Sequence, residues 1–296
     1  MRSSSLAPSI TPTSCPGRSS RTGASLRWLD LTEDGRIDPT TVRVITERTR
    51  LLALTHASNV TGAITPLVDI LPAARAVGAL VVLDTCQSAA HLPLDFAALH
   101  AAGVDAMVLS SHKMLGPTGI GALVAAEELL EAMPPVLTGG SMIEVVRMES
   151  STYMSGPARF EAGSQPLAQA AGWRTAVDYL SGLGMDRLHA GELDLMQRVL
   201  DGLAALDGVR VLGPADTRER LGVVAFTVDG VHPHDVGQVL DASGVAVRTG
   251  HHCAQPIHAH FSVSSSARVS FGVTTTAGEV DRFLEAAAGV RAYFQR

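Results

Sequence analysis

The 296-residue chain carries 23 lysines and arginines against 29 acidic residues, a formal net charge of -6 at pH 7. This balance excludes a general nucleic-acid-binding protein, which would present a basic surface. No apolar run approaches the roughly 20 residues that cross a bilayer, so we expect no membrane segment. The cysteines at positions 15, 86 and 253 are too few for a disulfide framework and favour a reducing, cytoplasmic setting.

The first 22 residues are rich in serine and proline and show no hydrophobic periodicity. They also lack the apolar centre of a secretory signal. We therefore predict that residues 1–22 form a disordered tail outside the folded domains.

Short apolar runs then alternate with amphipathic stretches. The predicted strands are LLALTHAS (51–58), ALVVLDT (79–85), DAMVLSS (105–111) and IGALVAA (120–126). Between them, PLVDILPAARAVG and PLDFAALHAAG have the 3.6-residue apolar spacing of helices. This alternation predicts a mainly parallel sheet flanked by helices.

A less regular stretch follows, and then a long helical region from about 166 to 206 that SGLGMD interrupts. In the last third of the sequence, the predicted strands are LGVVAFTV (221–228), GVAVRT (244–249) and ARVSFG (267–272). The predicted helices are HDVGQVLDASG and AGEVDRFLEAAAGVRAYF. The chain is thus predicted to be an α/β protein with a large domain at 23–188 and a smaller α+β domain at 189–296.

Three polar residues follow the predicted parallel strands: Asn59, Asp84 and Lys113. Ligands of open parallel sheets bind beyond the carboxyl ends of the strands. Singly, Asp84 is explained as a helix cap, and Lys113 as a solvated charge beside a glycine-rich turn. Together they match the needs of pyridoxal phosphate, which attaches to a lysine and places an acid beside its pyridine nitrogen.

The segment RTGHHCAQPIH (248–258) has two interpretations, a metal site or a nucleophilic thiol at Cys253. Zinc sites usually draw on spaced pairs of ligands, and adjacent histidines on a strand point to opposite faces. No second cysteine or acidic residue lies near in sequence, so the thiol is favoured. The metal alternative stays open because distant segments can supply ligands.

The segment LDTCQSAAHLPLDFAALHAAGVDAMVLSSHKMLGPTGIGALVA resembles the fold-type I, class V aminotransferase family of pyridoxal-phosphate enzymes. Within the family it is most similar to the Suf-type (group II) cysteine desulfurases. The similarity continues in order through THASNVTG, GGSM, RFEAGS, RTGHHCAQP and ARVSF, and it covers roughly residues 22 to 296.

This resemblance implies a role for each matching residue that contacts the cofactor. Lys113 would hold pyridoxal phosphate covalently and, once freed, remove the Cα proton of the substrate. Asp84 would face the pyridine nitrogen, and Gln87 would bind the phenolic oxygen. Ser110 and His112 would contact the phosphate, and Ser164 would reach the phosphate of the other subunit of a homodimer.

The resemblance also implies the substrate, L-cysteine, and its products. Asn59 and Arg268 would bind the substrate carboxylate. Cys253 would attack the substrate sulfur, releasing L-alanine and keeping a persulfide, with Arg248, His251 and His252 favouring the thiolate. The persulfide sulfur would pass to a small acceptor protein, supplying iron–sulfur cluster or related biosynthesis.

The chain also departs from the family. Members carry roughly a hundred further residues, a domain's worth of chain, before the matching region. That part includes a phosphate-binding loop and a histidine that stacks on the pyridine ring, and neither is found here. We therefore expect apolar surface or sheet edges of the large domain to be exposed. Two alternatives remain: another class V enzyme, such as an aminotransferase, epimerase or selenocysteine lyase, and a truncated paralogue without activity.

Overall fold

The computed structural model describes residues 2–5 and 25–294. Within them the strands are β1 Arg2–Ser5, β2 Thr49–Thr55, β3 Leu80–Asp84, β4 Ala106–Ser110, β5 Gly121–Ala125, β6 Ile143–Val146, β7 Ser151–Tyr153, β8 Val209–Leu212, β9 Val223–Val228, β10 Arg248–Gly250 and β11 Ser266–Ser270. The helices are α1 Leu67–Ala76, α2 Phe96–Ala102, α3 Glu127–Ala132, α4 Leu167–Leu183, α5 Met185–Ala204, α6 Pro233–Ala242, α7 Gln255–His260 and α8 Ala277–Phe294.

The first sheet has the strand order β1-β2-β3-β4-β5. The first four strands are parallel and β5 is antiparallel to β4. The mainly parallel sheet is confirmed, but the fourth predicted strand runs in the opposite direction. Its connection from β4, residues 111–120, has no α-helix to carry the chain back across the sheet, and a short connection suits antiparallel strands.

The prediction of a disordered tail is wrong for Arg2–Ser5, which forms an edge strand parallel to β2. These four residues have no apolar alternation, and the sequence therefore gave no signal for a strand. They pair with β2 through the backbone N–H and C=O groups that the edge of β2 leaves unpaired. The remainder of the predicted tail, residues 6–22, lies outside the described residues.

One face of this sheet is covered and the other is largely open. Leu52, Leu54, Val81 and Leu83 are buried against α1 and its neighbours. On the opposite face, Leu80 is 42% exposed and Leu123 52% exposed. Because side chains alternate along a strand, Asp84 lies on the same face as Leu80. The expected exposure of apolar sheet surface is therefore observed, and Asp84 belongs to that open face.

The second sheet is antiparallel, with the strand order β10-β11-β9-β8. Its core joins strand residues to helices α5, α6 and α8, with Val224 and Phe226 packed beside Met196, Leu240 and Phe283. Strand β8 and helix α7 were not predicted. Helix α5 runs unbroken through the predicted domain boundary at 188/189, and its buried apolar residues lie in this second core.

Helices α4 and α5 are separated at Gly184, which has a φ of +86°. Glycine reaches this conformation without a Cβ clash, so the predicted break at SGLGMD falls here. Among residues 25–294, no helix combines the length and apolar character needed to cross a membrane.

Candidate active site

The carboxyl ends of β2, β3 and β4 meet at one edge of the first sheet. Asp84 is the last residue of β3, Asn59 follows β2 by four residues and Lys113 follows β4 by three. The His56 backbone N–H donates to the Asp84 carbonyl at 2.8 Å, which ties the segment leading to Asn59 to the end of β3. The structure thus brings the three predicted residues to the edge where open parallel sheets bind ligands.

Asp84 and Lys113 act electrostatically on the same thiol. The Asp84 carboxylate accepts a hydrogen bond from the Cys86 backbone N–H at 2.9 Å. Burial, and then the negative charge of Asp84, raise the pKa of the Cys86 thiol to about 12, while Lys113 opposes this shift. Cys86 is therefore protonated at neutral pH and unreactive.

Lys113 ends a short 3-10 helix, Ser111–Lys113, and is exposed. Beside it, Ser110 and His112 share a hydrogen bond of 3.1 Å between Oγ and Nδ1. The Ser111 hydroxyl is buried and has no partner among the residues described. Lys113 is also the only lysine in the 296-residue sequence. Any chemistry that needs a primary side-chain amine is thus confined to this turn.

Gly116 allows the Lys113 turn to close, because any Cβ at this position would lie 2.2 Å from Ser111 Oγ. We expect Gly116→Ala to lower the free energy of unfolding by about 1–3 kcal/mol through overpacking. Urea denaturation followed by circular dichroism measures the loss.

Gly182→Ala is the matched control, since a Cβ there, inside α4, meets no atom within 4 Å. This control should leave stability unchanged or raise it by up to about 1 kcal/mol. Equal effects of the two substitutions would contradict the close packing of the turn.

Cys253 lies in a strained turn directly after β10. His252 and Cys253 have φ values of +51° and +62°, the left-handed region that residues with a Cβ rarely adopt. The Cys253 side chain is exposed, and its Sγ lies 3.5 Å from Nη2 of Arg248. The Arg248 guanidinium is thus placed to donate a hydrogen bond to the sulfur.

Two arginines face each other across β10 and β11, because Arg248 and Arg268 are register partners. Burial, and then the charge of Arg248, lower the pKa of the Arg268 guanidinium. Its Nη1 donates to the Asn59 carbonyl at 2.9 Å, and its buried Nε has no partner within the described chain. Like charges directly opposite are unfavourable, so this pair is suited to an anionic ligand.

Asn59 is buried and contacts the Cys253 turn. Its Nδ2 donates to the His252 carbonyl at 2.6 Å, and its Oδ1 has no partner among residues 25–294. One Nδ2 hydrogen is therefore already used, and a carboxylate would have to bind the other. Asn59 therefore also holds the backbone of the Cys253 turn, a contact that the sequence did not suggest.

His252 does not stabilise the thiolate as a cation, and the sequence-based expectation for it is wrong. Its side chain is 2% exposed, and its Nε2 lies 2.9 Å from Ser266 Oγ. Burial, and then the positive charge of Arg268, lower its pKa to about 3. The ring is neutral at physiological pH, so the nearby positive charge at Cys253 comes from the arginines.

A profile of the Aminotransferase class-V family matches residues 17–283. The chain belongs to this family. Among curated class V relatives, "Probable cysteine desulfurase 2" of Mycobacterium leprae is 50% identical over 276 residues, which is 93% of this chain and 65% of the relative. The chain thus spans about two thirds of the length of the curated relatives it matches.

Solved structures show the same class V fold. The cysteine desulfurase CsdA (S-sulfonic acid) of Escherichia coli is 31% identical with a TM-score of 0.90, over 99% of this chain and 72% of that one. The apo cysteine desulfurase of Thermococcus onnurineus NA1 is also 31% identical, with a TM-score of 0.92 over 98% and 73%. These agreements confirm the predicted fold-type I architecture.

Two further residues predicted from the class V resemblance lie apart from these contacts. Gln87 is half-buried three residues after the end of β3. Ser164 is exposed in a loop whose neighbour Gly163 donates its N–H to the Gly140 carbonyl at 2.8 Å. Within the described chain Ser164 forms no hydrogen bond to the Lys113 turn, and its predicted contact lies across a dimer.

The histidines of the Cys253 segment are engaged in protein contacts. His252 and His258 both hydrogen-bond Ser266 Oγ, at 2.9 and 3.0 Å. In the part of the chain that the structure describes, no three His, Cys, Asp or Glu side chains are grouped to hold a metal ion. His258 was considered from sequence only as a possible metal ligand. Ser266 was missed, although strand alternation places it on the same face of β11 as Arg268.

Proposed function

We propose that the chain is a pyridoxal phosphate-dependent cysteine desulfurase that converts L-cysteine to L-alanine and keeps the sulfur as a persulfide on Cys253. The observation that carries the proposal is the position of the Cys253 thiol, 3.5 Å from Arg248. Arg248 is the register partner of Arg268, whose Nε is unpartnered in the described residues. A nucleophilic sulfur beside a site for an anion is what this reaction requires. The cysteine desulfurase names of the relatives support the same reaction.

The residues at the sheet edge fit pyridoxal phosphate. The chain's one lysine is exposed there, Asp84 lies on the open face of the sheet, and the buried Ser111 hydroxyl is left without a partner in the described residues. Lys113 would hold the cofactor covalently, and Asp84 would keep its pyridine nitrogen protonated. Gln87 would bind the phenolic oxygen, and the phosphate would contact Ser110, His112 and, from the other subunit of a homodimer, Ser164.

Bound pyridoxal phosphate would supply an electron sink that weakens the bonds at Cα and Cβ of the substrate. Arg268 would hold the substrate carboxylate through its free Nε, with the remaining amide hydrogen of Asn59 beside it. The carboxylate would then offset the repulsion between Arg268 and Arg248. The Lys113 amine would take the proton from Cα, because a neutral amine close to that carbon is a suitable general base.

Cys253 would perform the sulfur transfer. Its thiolate attacks the substrate sulfur, so a new S–S bond forms and the Cβ–S bond of the substrate breaks. The electron pair of the broken bond stays on Cβ, which takes a proton and becomes the methyl group of alanine. Arg248 would favour the thiolate before the attack by its proximity to Sγ.

The persulfide would next leave Cys253 for a thiol on a small acceptor protein, as the source of sulfur for iron–sulfur cluster or related biosynthesis. The exposed position of Cys253 supports this, since a bulky partner must reach the outer sulfur atom. Free Cys86 and Cys253 thiols agree with a reducing compartment, which we take to be the cytoplasm.

Arg268→Ala is expected to raise KM for L-cysteine about 10- to 100-fold, because one charge-assisted hydrogen bond contributes about 1.5–3 kcal/mol. Steady-state alanine production measures this change. Arg282→Ala, which removes an exposed guanidinium on α8, is the control and should leave KM unaltered. An unchanged KM in Arg268→Ala would contradict its role in carboxylate binding.

Cofactor uptake and turnover test the proposal as a whole. The purified 296-residue chain is incubated with pyridoxal phosphate, freed of excess cofactor by gel filtration and scanned for visible absorption of the lysine-bound cofactor. Alanine formed from L-cysteine is then measured with a thiol reductant as sulfur acceptor. Cofactor retention together with catalytic alanine formation supports the proposal, and retention without any alanine would refute the assigned reaction.

A further inference from the structure

A buried serine hydroxyl links two histidines behind Cys253. His258 Nδ1 lies 3.0 Å from the Ala254 carbonyl, and its Nε2 lies 3.0 Å from Ser266 Oγ. The same hydroxyl lies 2.9 Å from His252 Nε2. All three side chains are buried: His258 and His252 are 1% and 2% exposed, and Ser266 is 0% exposed. We call this set of His258, Ser266 and His252 the histidine–serine relay.

The direction of each hydrogen bond in the relay follows from the Ala254 carbonyl, which can only accept. His258 Nδ1 must therefore carry the hydrogen. Burial lowers the pKa of His258, so the ring is neutral and its Nε2 is an acceptor. The Ser266 hydroxyl then donates to His258 and accepts from His252 Nε2–H. His252 Nδ1 is then the acceptor nitrogen of the ring, and it has no partner in the described residues.

The relay holds a part of the backbone that is costly to form. His252 and Cys253 are consecutive left-handed residues, a conformation that is unfavourable for residues with a Cβ. Strain of this kind persists only where the surroundings fix it. Here His252 is held twice, through its ring by Ser266 and through its carbonyl by Asn59 at 2.6 Å. The next residue in the chain carries the thiol.

We propose that Ser266 and His258 are positioning residues for Cys253: through the His252 ring they hold the left-handed turn that keeps the thiol beside Arg248. This inference rests on the proposed function only in taking Cys253 as the nucleophile. Neither Ser266 nor His258 contacts a reacting atom. Their effect reaches the thiol through the turn and the 3.5 Å contact between Arg248 and Sγ.

The test is Ser266→Ala in the full chain, with Cys253 alkylation by iodoacetamide followed by peptide mass spectrometry across pH. Loosening the turn separates the thiolate from Arg248, so we expect alkylation at pH 7 to slow about three- to tenfold. At about pH 10, where an ordinary thiol is ionised, both proteins should react within about twofold of each other. With L-cysteine, kcat should fall about tenfold with KM unchanged.

Ser266→Thr keeps the hydroxyl and should restore both readouts to within about twofold. Ser270→Ala makes the same change at an exposed position of β11 and should alter neither. His258→Phe keeps a planar aromatic ring and removes both nitrogens. It is the second variant to test if Ser266→Ala does not fold. It should slow alkylation at pH 7 in the same direction.

A folded Ser266→Ala or His258→Phe protein whose alkylation profile matches the wild type would overturn the relay, whatever its turnover. The two proposals fail separately. If the wild-type chain forms no alanine while Ser266→Ala still shows the slowed alkylation at pH 7, the relay stands and the desulfurase reaction does not.

Discussion

Replacing Lys113 with alanine is expected to abolish alanine formation from L-cysteine, lowering kcat at least about 10³-fold. The amine serves two purposes, covalent attachment of the cofactor and removal of the Cα proton, and general-base contributions alone reach about 10²–10⁴-fold. No other lysine exists in the chain to replace it. The measurement combines the kinetic assay with borohydride reduction of the cofactor-loaded protein, followed by peptide mass spectrometry.

In the wild type, borohydride should fix the cofactor on the peptide that contains Lys113, and Lys113→Ala should carry no fixed cofactor. Lys113→Arg is the sharper control because it keeps a positive charge on the same turn. If that charge were the only requirement, Lys113→Arg would retain activity. We expect it to be as inactive as the alanine variant, and retention of substantial turnover would contradict the role of the amine.

Cys253→Ala is expected to reduce alanine formation to below about 1% of the wild type, since the substrate sulfur then has no nucleophile to accept it. Cofactor absorption should persist, because the Lys113 turn is built on the first sheet and contains no part of β10 or β11. Loss of turnover with retained cofactor separates this variant from Lys113→Ala.

Cys86→Ala provides the matched cysteine control. The Cys86 thiol is protonated at neutral pH because burial and Asp84 raise its pKa to about 12. Its removal should leave alanine formation within about threefold of the wild type. If alanine formation depended on Cys86 and survived the loss of Cys253, the nucleophile would be Cys86 and the assignment to Cys253 would be wrong.

The parts of the fold that could be predicted were those with a strong local pattern. β2, β3, β4 and β5 are apolar runs bounded by polar or glycine residues, and α1 and α2 have clear helical spacing. β8 and α7 have only four and six residues, too few to establish a period. The antiparallel direction of β5 and the pairing of Arg2–Ser5 depend on tertiary contacts, which no local window contains.

In the candidate site, too, some features could be predicted from local sequence and others depended on tertiary contacts. Lys113, Asp84, Arg268 and Cys253 were singled out from sequence motifs, because the proposed chemistry requires an amine, an acid, a guanidinium and a thiol. The state of His252 was predicted wrongly because its charge depends on burial against Ser266, fourteen residues along the chain. The second contact of Asn59, to the His252 carbonyl, joins residues 193 positions apart and left no sequence pattern.

Cys253 is the proposed acceptor of the sulfur of L-cysteine. A single turnover with sulfur-labelled L-cysteine, without any acceptor thiol, tests it most directly when alanine is quantified and every cysteine-containing peptide is mapped by mass spectrometry. We predict one labelled sulfur atom on the Cys253 peptide for each alanine formed, with the Cys86 peptide unmodified. Alanine formed while Cys253 remains unlabelled would contradict the account.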